Sequence, residues 1–394
     1  MHVTFVDTDL RWQQMLPLTY TRPIADLRIG ILKIHEKWQK RLAIESVSYR
    51  TQTYLSTLFP ASEDSGLHLL GGLLPSDELV HLLNDLKPDE AIVCKGQLIA
   101  GHFSPEESFE VAGRKMLEIE EISMIEFPWD IFRLNGAEIR EDYKLLTEGR
   151  VGNTLNDPNT ITYGDDIFLE ENVSIKAAII NAESGPVYLG KGSQVAEGAV
   201  IKGPFAMCEK SVVNISAKIK GDTTIGPYCK VGGEVSNAVF QGYSNKGHDG
   251  FLGNSVIGEW CNLGADTNNS NLKNNYANVK MWDFASNRFK DTGLQFCGLI
   301  MGDHSKCGIN TMFNTGTTVG VFANIFGTGF PRNFIPSFAW GGASGFTTYQ
   351  TKKAFETADL VFRRRNRSLT EMDKNMLSHI FTSTTSYRSW EKSS

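Results

Sequence analysis

A histidine beside a glycine is the residue of this sequence with the clearest capacity for proton transfer. His248 follows Lys246 and Gly247, and an imidazole, which titrates near neutral pH, can take a proton from a substrate. A polar segment from residue 266 to residue 291 follows and contains Asn268-Asn269-Ser270-Asn271. These amides either contact a ligand or form a stacked, asparagine-rich turn. His248 is either a functional residue or an ordinary solvated loop histidine.

An aliphatic repeat of six residues predicts the element that must hold this histidine. A period of six is typical of a left-handed parallel β-helix, in which each hexapeptide forms one flat face and three faces close a coil around stacked apolar residues. An antiparallel β protein with accidental spacing would not keep this phase through its turns. The unbroken part of the repeat is Val195, Ile201, Met207, Val213, Ile219, Ile225 and Val231, and it resumes at Ile257, Leu263, Met301, Cys307, Phe313, Val319 and Ile325.

The repeat loses its phase twice. The intervals from Ile225 to Ile257 and from Leu263 to Met301 each exceed a multiple of six by two residues. A solenoid accepts insertions as loops that leave the coil, and such loops commonly carry functional residues. His248 lies in the first interval, and the asparagine run lies in the second. His304, outside both, is interpreted as a corner residue of the repeat.

The rest of the chain predicts two further regions. Helix periodicity from Leu27 to Leu42, a second helix near Ser76 to Leu86 and a buried strand from Glu90 to Cys94 indicate an α/β sheet domain of Rossmann-like architecture. After residue 351 the pattern is helical again, with a basic cluster around Arg363, which indicates a C-terminal helical cap over the last coil. The predicted domains are residues 1–148, 149–350 and 351–394.

Composition excludes several classes of function. Lys and Arg total 39 against 45 Asp and Glu, a formal charge of −6 without long runs, which disfavours nucleic-acid binding. No apolar stretch approaches the roughly 20 residues that cross a bilayer, and the N-terminus lacks a signal-peptide pattern. We therefore expect a cytoplasmic protein with no membrane partner. The six cysteines have no zinc-type spacing and are expected to be reduced and buried.

The segment from Lys246 to Gly258 and the run Asn262-Leu263-Gly264-Ala265-Asp266-Thr267 carry a resemblance to a known family. They resemble the acetyltransferase domain of the GlmU family of bifunctional N-acetylglucosamine-1-phosphate uridyltransferase/glucosamine-1-phosphate N-acetyltransferases. The whole-chain layout looks closer still to a GlmU-like family of Bacteroidetes-type bacteria, described as sugar nucleotidyltransferases.

This resemblance implies roles for particular residues. His248 falls on the catalytic base that takes a proton from the sugar amine, and Glu234 on the acid that supports it. Asn262 and Ala265 fall on positions that contact the sugar and the acetyl group or cofactor, and Asn271 on an asparagine near the acyl-CoA. Lys218 falls on a phosphate-binding arginine, with Lys220 close enough to replace it after a small shift.

At three positions this sequence departs from family residues that bind the sugar phosphate and the cofactor. A family lysine is Ser236 here, and two family tyrosines are Phe251 and Leu272. Acyl transfer is therefore better supported than the identity of the acceptor.

The N-terminal region resembles sugar nucleotidyltransferases at two places. Residues 16–24 look like the end of their signature, and Phe127-Pro128-Trp129-Asp130 is similar to a segment of archaeal sugar-1-phosphate transferases. The glycine-rich phosphate loop of such enzymes is absent, because residues 7–15 contain no glycine. That leaves Arg22 and Lys33 as candidate phosphate contacts, although a structural role for Arg22 is an equal alternative, and Asp7 or Asp9 as candidate Mg²⁺ ligands.

The resemblance as a whole implies a homotrimeric enzyme of UDP-N-acetylglucosamine biosynthesis that serves the cell envelope. Its β-helix would transfer acetyl from acetyl-CoA to a hexosamine 1-phosphate such as glucosamine 1-phosphate. Its N-terminal domain would transfer a nucleotidyl group from UTP, with Mg²⁺. Two alternatives stay open: an enzyme that keeps only one of these activities, and a non-catalytic trimer that binds sugar nucleotides or serves as a scaffold.

Overall fold

The computed structural model describes residues 1–393, which divide into two compact units. The first unit contains Met1–Met15, Thr21–Leu27 and Leu32–Phe127. The second contains Leu16–Tyr20, Arg28–Ile31 and the chain from Pro128 onward. This division differs from a boundary at residue 148, because a long helix and two short N-terminal stretches make their contacts within the second unit.

The first unit is a mixed six-stranded sheet with helices in its connections. The strand order is β2-β1-β3-β5-β4-β6, in which β5 runs antiparallel to both of its neighbours and the other pairs are parallel. The strands are β1 (His2–Val6), β2 (Ser46–Arg50), β3 (Gly66–Leu70), β4 (Glu90–Cys94), β5 (Gln97–Phe103) and β6 (Lys115–Ile119). The helices are α1 (Asp9–Gln14), α2 (Ile34–Arg41) and α3 (Asp77–Asp85), with 3-10 turns at Ile24–Asp26 and Thr53–Leu55.

Two predicted elements of this unit are confirmed. All five residues of β4 are buried, as an unbroken apolar run predicts. Helix α3 begins after Ser76, whose side chain accepts a hydrogen bond from the N–H of Leu79 at 3.2 Å. A serine in this position satisfies one of the amides that a helix leaves free at its start.

The helix predicted from Leu27 to Leu42 is wrong over residues 27–33, because α2 begins only at Ile34. Gly30 has a φ of +72°, which ends any helical path there. The backbone around it is held instead by side chains of the second unit: Gln241 accepts from the N–H of Arg28, Asn135 from Gly30 and Asp142 from Ile31. Gln241 is distant in sequence, so local periodicity could not reveal these bonds.

The second unit consists of stacked coils with three faces, preceded by helix α4 (Pro128–Thr147) and a 3-10 turn at Leu18–Tyr20. Strands of successive coils pair in parallel, which is consistent with a parallel β-helix. Face A holds β7 (Ile161–Tyr163), β10 (Ile179–Asn181), β13 (Val200–Lys202), β16 (Lys218–Ile219), the starts of β19 (Glu234–Gly242) and β21 (Phe251–Glu259), β23 (Asn268–Asn269) and β28 (Met312–Phe313). Face B holds β8 (Ile167–Leu169), β11 (Val187–Leu189), β14 (Phe205–Met207), β17 (Thr223–Ile225), the ends of β19 and β21, β26 (Leu299–Met301), β29 (Thr317–Val319) and β31 (Phe334–Ile335). Face C holds β9 (Ser174–Ile175), β12 (Gln194–Val195), β15 (Val212–Val213), β18 (Lys230–Val231), β20 (Asn245–Lys246), β22 (Asn262–Leu263), β27 (Lys306–Cys307), β30 (Asn324–Ile325) and β32 (Ala339–Gly342).

The interior of the coils is the apolar repeat read from the sequence. Every residue of that repeat, from Val195 to Ile325, is at most 5% exposed, and together they form one core. The second phase break leaves the coil, as expected, and contains the antiparallel pair β24 (Lys280–Asp283) and β25 (Arg288–Asp291). The first break is not an inserted loop, because β19 and β21 each run without interruption from face A to face B and so shorten their coils. The six cysteines are reduced and buried.

The corner between faces B and C carries a stack of rings, here called the aromatic column. Its six residues all have φ between 54° and 62°, a conformation that turns each ring out over the corner. Planes lie nearly parallel from Tyr228 to Trp260 and again from His304 to Phe338. The centroids are 4.2 Å apart for Tyr243 and Trp260 and 4.5 Å for His304 and Phe322. His304 is therefore a corner residue, as interpreted. The column consists of Tyr228, Tyr243, Trp260, His304, Phe322 and Phe338.

The C-terminal helices pack against this column. They are α5 (Thr351–Arg363) and α6 (Glu371–Ser383), followed by 3-10 turns at Thr385–Tyr387 and Ser389–Ser393, after the terminal hairpin of β32 with β33 (Gly345–Thr348). Phe362 of α5 meets Trp260 edge-on at 4.2 Å, and Phe381 of α6 meets Phe338 at 5.0 Å. The predicted C-terminal helical cap therefore packs along the side of the coils as well as near the last coil. Within residues 1–393 no helix has both the length and the apolar character to cross a membrane.

Gly30→Ala is expected to destabilise the second unit more than a matched glycine substitution. A Cβ at Gly30 would lie 2.5 Å from Asp142 Oδ2 and 2.7 Å from the Glu138 carbonyl oxygen. The left-handed conformation costs about 1–2 kcal/mol and the overpacking about 1–3 kcal/mol more. Gly293 has the same φ of +72°, and a Cβ there would have no atom within 4 Å, so Gly293→Ala isolates the backbone cost. Equal losses of thermal stability in the two variants would contradict the tight packing at Gly30.

Candidate functional site

His248 lies on the loop that leads from β20 on face C to β21 on face A. Four consecutive carbonyl groups of this loop accept hydrogen bonds, while the imidazole itself is exposed. The donors are Asn214 Nδ2 to Gly247 O at 2.7 Å, Lys246 Nζ to His248 O at 2.9 Å, Asp266 N to Asp249 O at 3.0 Å and Glu234 N to Gly250 O at 3.1 Å. The backbone is therefore fixed, and the ring is available to a ligand.

The first cavity beside His248 is basic. It has a volume of about 590 Å³, and every charged side chain in its wall is a cation: Lys230, Lys306, Arg364 and Arg365. The two arginines directly follow α5, and Arg365 donates to the carbonyl oxygen of Tyr228 at 3.3 Å. Such a cavity suits a ligand with phosphate groups.

The second cavity beside His248 is acidic. It has a volume of about 840 Å³, and its charged side chains are Glu197, Asp249 and Asp266. His248 and Ala265 line both cavities. The imidazole therefore stands where a cation-binding and an anion-binding cavity meet.

A column of outward-facing polar residues forms part of the basic cavity. Lys230, Asn245, Asn262 and Lys306 follow one another in the parallel register of face C. The Oδ1 atom of Asn245 is buried and accepts no hydrogen bond among the described residues. Burial lowers the pKa of Lys306, whose Nζ donates to the His304 carbonyl oxygen at 3.1 Å.

Only Asn262 of this column was singled out from the sequence. A signal for the others existed, because each of them directly precedes an interior residue of face C. Strand alternation places such a residue on the outer surface. What the repeat could not show was the approach of α5, which supplies the two arginines.

Glu234 does not contact His248 through its side chain. Its Oε1 is 2.6 Å from Lys220 Nζ, while its backbone N–H supports the histidine loop. Lys218 is exposed and pairs with Glu234 in strand register, and neither of these two residues lines the cavities beside His248. Their predicted roles in supporting His248 and in binding the sugar phosphate stay predictions.

The side chains of the asparagine run form hydrogen bonds within the coils. Asn268 Oδ1 accepts from the N–H of Phe251 at 2.8 Å, and buried Asn269 bonds both backbone groups of Gly253. Asn271 Nδ2 donates to Asn254 Oδ1 at 2.8 Å, and Asn271 does not line either cavity beside His248. Of the two interpretations of this run, the structure therefore favours the asparagine-rich turn.

In the first unit, Asp7 directly follows β1 and is buried. Its Oδ2 accepts from the N–H of Ile24 at 3.1 Å and from the hydroxyl of Thr51 at 2.8 Å. Its Oδ1 is buried without a hydrogen-bond partner among the described residues. Burial raises the pKa of Asp7 to about 7, against the opposing effect of these two hydrogen bonds.

The predicted phosphate contacts Arg22 and Lys33 converge on Asp26, a residue that the sequence did not single out. Lys33 Nζ is 2.8 Å from Asp26 Oδ1, and Arg22 Nη1 is 3.6 Å from Asp26 Oδ2. Both Arg22 and Asp26 are buried. The Asp26 carboxylate therefore offsets positive charge of Arg22 and Lys33 that would otherwise act on a bound phosphate.

Asp7 and Asp9 stay candidate Mg²⁺ ligands. Asp9 is exposed and accepts from Gln52 Nε2 at 2.9 Å. Within residues 1–393, no group of three or more His, Cys, Asp or Glu side chains is arranged to hold a metal ion. We therefore assign no step to a metal here.

The N-terminal portion is similar to one family of known proteins. Residues 3–151 match the family described as "Sugar nucleotidyl transferase", and this match supports a transferase. No curated protein matches the chain.

Among solved structures, the chain is similar to the polySia-specific acetyltransferase NeuO, with 17% identity over 49% of this chain and 83% of that one, at a TM-score of 0.15. It is also similar to the acetyltransferase domain of PglB from Neisseria gonorrhoeae, with 11% identity over 88% of this chain and 98% of that one, at a TM-score of 0.16. TM-scores of this size do not establish a common fold.

Asp7→Asn is expected to stabilise the protein near pH 7.5 and not near pH 4. A folded pKa of about 7, above the ordinary 3.8, means that the folded state keeps its proton while the unfolded chain has lost it. The wild type therefore loses stability as the pH rises from about 4 to about 7, at about 1.4 kcal/mol per pKa unit. Asparagine avoids this loss and keeps an oxygen for Ile24 and Thr51.

The measurement is the difference in thermal unfolding midpoint between wild type and Asp7→Asn across this pH range. A difference that does not change with pH would contradict the raised pKa. If Asp7 holds Mg²⁺ after all, added Mg²⁺ will raise the midpoint of the wild type and leave that of the variant unchanged.

Proposed function

We propose that this chain transfers an acyl group from acyl-CoA to the amine of a hexosamine 1-phosphate, with His248 as the base. The observation that carries the proposal is the position of His248 in the shared wall of two cavities of opposite charge. Acetyl-CoA as donor, glucosamine 1-phosphate as acceptor and a left-handed, homotrimeric β-helix are the specific forms that the sequence resemblance implies.

The residues of the basic cavity fit the phosphates of coenzyme A. Arg364 and Lys230 are exposed at its wall, and Arg365 and Lys306 are half-buried, so the cations can reach a ligand that lies along face C. These residues bind and orient the donor, whose thioester carries the acyl group.

The acidic cavity fits the acceptor amine. A hexosamine amine is an ammonium ion near neutral pH, and the carboxylates of Glu197, Asp249 and Asp266 attract it. The His248 imidazole takes one proton from the ammonium, so that the neutral amine nitrogen can bond to the acyl carbon. The carbon–sulfur bond then breaks, the nitrogen loses its second proton to the departing thiolate, and the imidazolium releases the first proton to solvent.

For the N-terminal portion we propose sugar nucleotide chemistry, with nucleotidyl transfer from UTP to the N-acetylhexosamine 1-phosphate. The family match over residues 3–151 supports it. A specific observation favours the alternative that only acyl transfer is retained: Asp26 already pairs with both Arg22 and Lys33. Pyrophosphate release from UTP and N-acetylglucosamine 1-phosphate separates these possibilities.

His248→Ala is expected to lower kcat for CoA release from acetyl-CoA and glucosamine 1-phosphate by roughly 10²–10⁴-fold, with KM values nearly unchanged. The loss follows from removal of the base, since the loop backbone keeps its hydrogen bonds. His81→Ala, at an exposed position on α3, is the matched control and should retain wild-type activity. A wild-type protein that forms pyrophosphate and releases no CoA would refute the acyltransfer proposal.

Arg364→Ala is expected to raise KM for acetyl-CoA by roughly 3- to 10-fold and to leave kcat little changed. Arg364 is an exposed cation in the wall of the basic cavity, and an exposed charge contributes less than the roughly 1.5–3 kcal/mol of a buried charged hydrogen bond. Arg363→Ala removes the neighbouring charge, which pairs with Asp359 and does not line that cavity. Steady-state kinetics at low and high salt should separate the two variants, and equal effects would show that only net charge matters.

A further inference from the structure

Among the described residues, the interior column of face C contains one charged side chain. Its other members include Val195, Val213, Val231, Leu263, Cys307 and Ile325, all nearly fully buried. Lys246 pairs in register with Val231 and is only 1% exposed. An ammonium group therefore occupies a place where each neighbouring coil has a small or aliphatic side chain.

The Lys246 ammonium joins two coils. Its Nζ donates to the carbonyl oxygen of Gly232, on the preceding coil, at 3.1 Å, and to that of His248 at 2.9 Å. Gly232 and Gly247 lie in close contact, because a Cβ at Gly232 would be 2.6 Å from the Gly247 carbonyl oxygen. The lysine thus anchors the histidine loop to the coil beneath it.

This arrangement costs stability. Removing an ammonium from water is expensive, and an apolar residue of similar volume commonly stabilises such a position. Desolvation lowers the pKa of Lys246 to about 8, although Asp249, Asp266 and Cys307 act in the opposite direction. A folded pKa below the ordinary 10.5 means that the charge destabilises the fold below about pH 8, and that this penalty is relieved as the pH rises toward 10.5.

We infer that Lys246 is a positioning residue for His248: its ammonium fixes the His248 carbonyl and so holds the imidazole at the wall between the two cavities. This inference rests on the proposed acyl transfer for its catalytic consequence. A positioning role explains why a lysine, which weakens the core, lies two positions before His248, although an aliphatic residue there would continue the apolar column.

Lys246→Met separates the positioning role from a structural one. Methionine matches the length of lysine and suits an apolar column, so the thermal unfolding midpoint at pH 7 should rise, and the advantage should shrink between about pH 8 and pH 10.5. Amide hydrogen exchange at Glu234 and Asp266, whose N–H groups donate to the loop carbonyls of Gly250 and Asp249, should become faster, because one of the anchors of the loop is gone. The kcat for CoA release should fall by roughly 10- to 100-fold, the loss that misplacement of a catalytic group by about 1 Å can cause.

Two further variants complete the test. Lys246→Arg keeps a charged donor and should restore part of the protection from amide hydrogen exchange. Lys176→Met, at an exposed lysine of an earlier coil, should change neither the amide exchange nor the release of CoA. A lower midpoint in Lys246→Met with unchanged exchange at Glu234 and Asp266 would show a purely structural lysine and overturn the inference. The exchange measurement needs no substrate, so wild-type protein that releases no CoA refutes the proposed function while the exchange result still decides whether Lys246 anchors the loop.

Discussion

Each coil of the second unit stacks on the next only while apolar side chains meet apolar side chains across the interior. A shift of one residue in a strand exchanges its inner and outer faces and would expose the whole column. The parallel register of faces A, B and C is therefore the constraint on which the other features depend. It fixes which residues face outward as firmly as it fixes the core, because each outer residue directly precedes or follows an inner one.

The candidate site follows from that constraint. The outer column of face C is polar where the basic cavity forms, and the corner between faces B and C carries rings that hold α5 against it. Neither feature alone makes a cavity. The coil supplies a regular polar surface, and the packing of Phe362 on Trp260 brings Arg364 and Arg365 over it.

How much of this the sequence predicted depends on the range of each interaction. The apolar repeat, β4 and α3 were predictable because each is encoded by neighbouring residues. The start of α2 was not, because Arg28 to Ile31 are fixed by side chains from α4 and from Gln241. The pairing of Arg22 and Lys33 with Asp26 is local in sequence and was still missed, because a charged residue in a turn has no periodic signal that distinguishes a buried partner from a solvated one. The phase break drew attention to the segment that contains His248, although this segment is not an inserted loop. It could not show that Lys246 anchors the histidine loop from inside the coil, because a lysine inside the column interrupts the repeat that was used to find the column.

The placement of a base between the two cavities is the arrangement that acyl transfer to an amino sugar would require. The carboxylates of the acidic cavity favour the ammonium form of an amine, which binds well and is not a nucleophile. The donor must stay in the basic cavity, since its phosphates would be repelled by those same carboxylates. The group that removes the proton must lie close to the amine in one cavity and to the thioester of the donor in the other. It therefore has to line both cavities. Within residues 1–393, His248 is the one ionisable residue that lines both cavities, and its loop is a part of the coil whose backbone is held from the interior, from the preceding coil and from the following one.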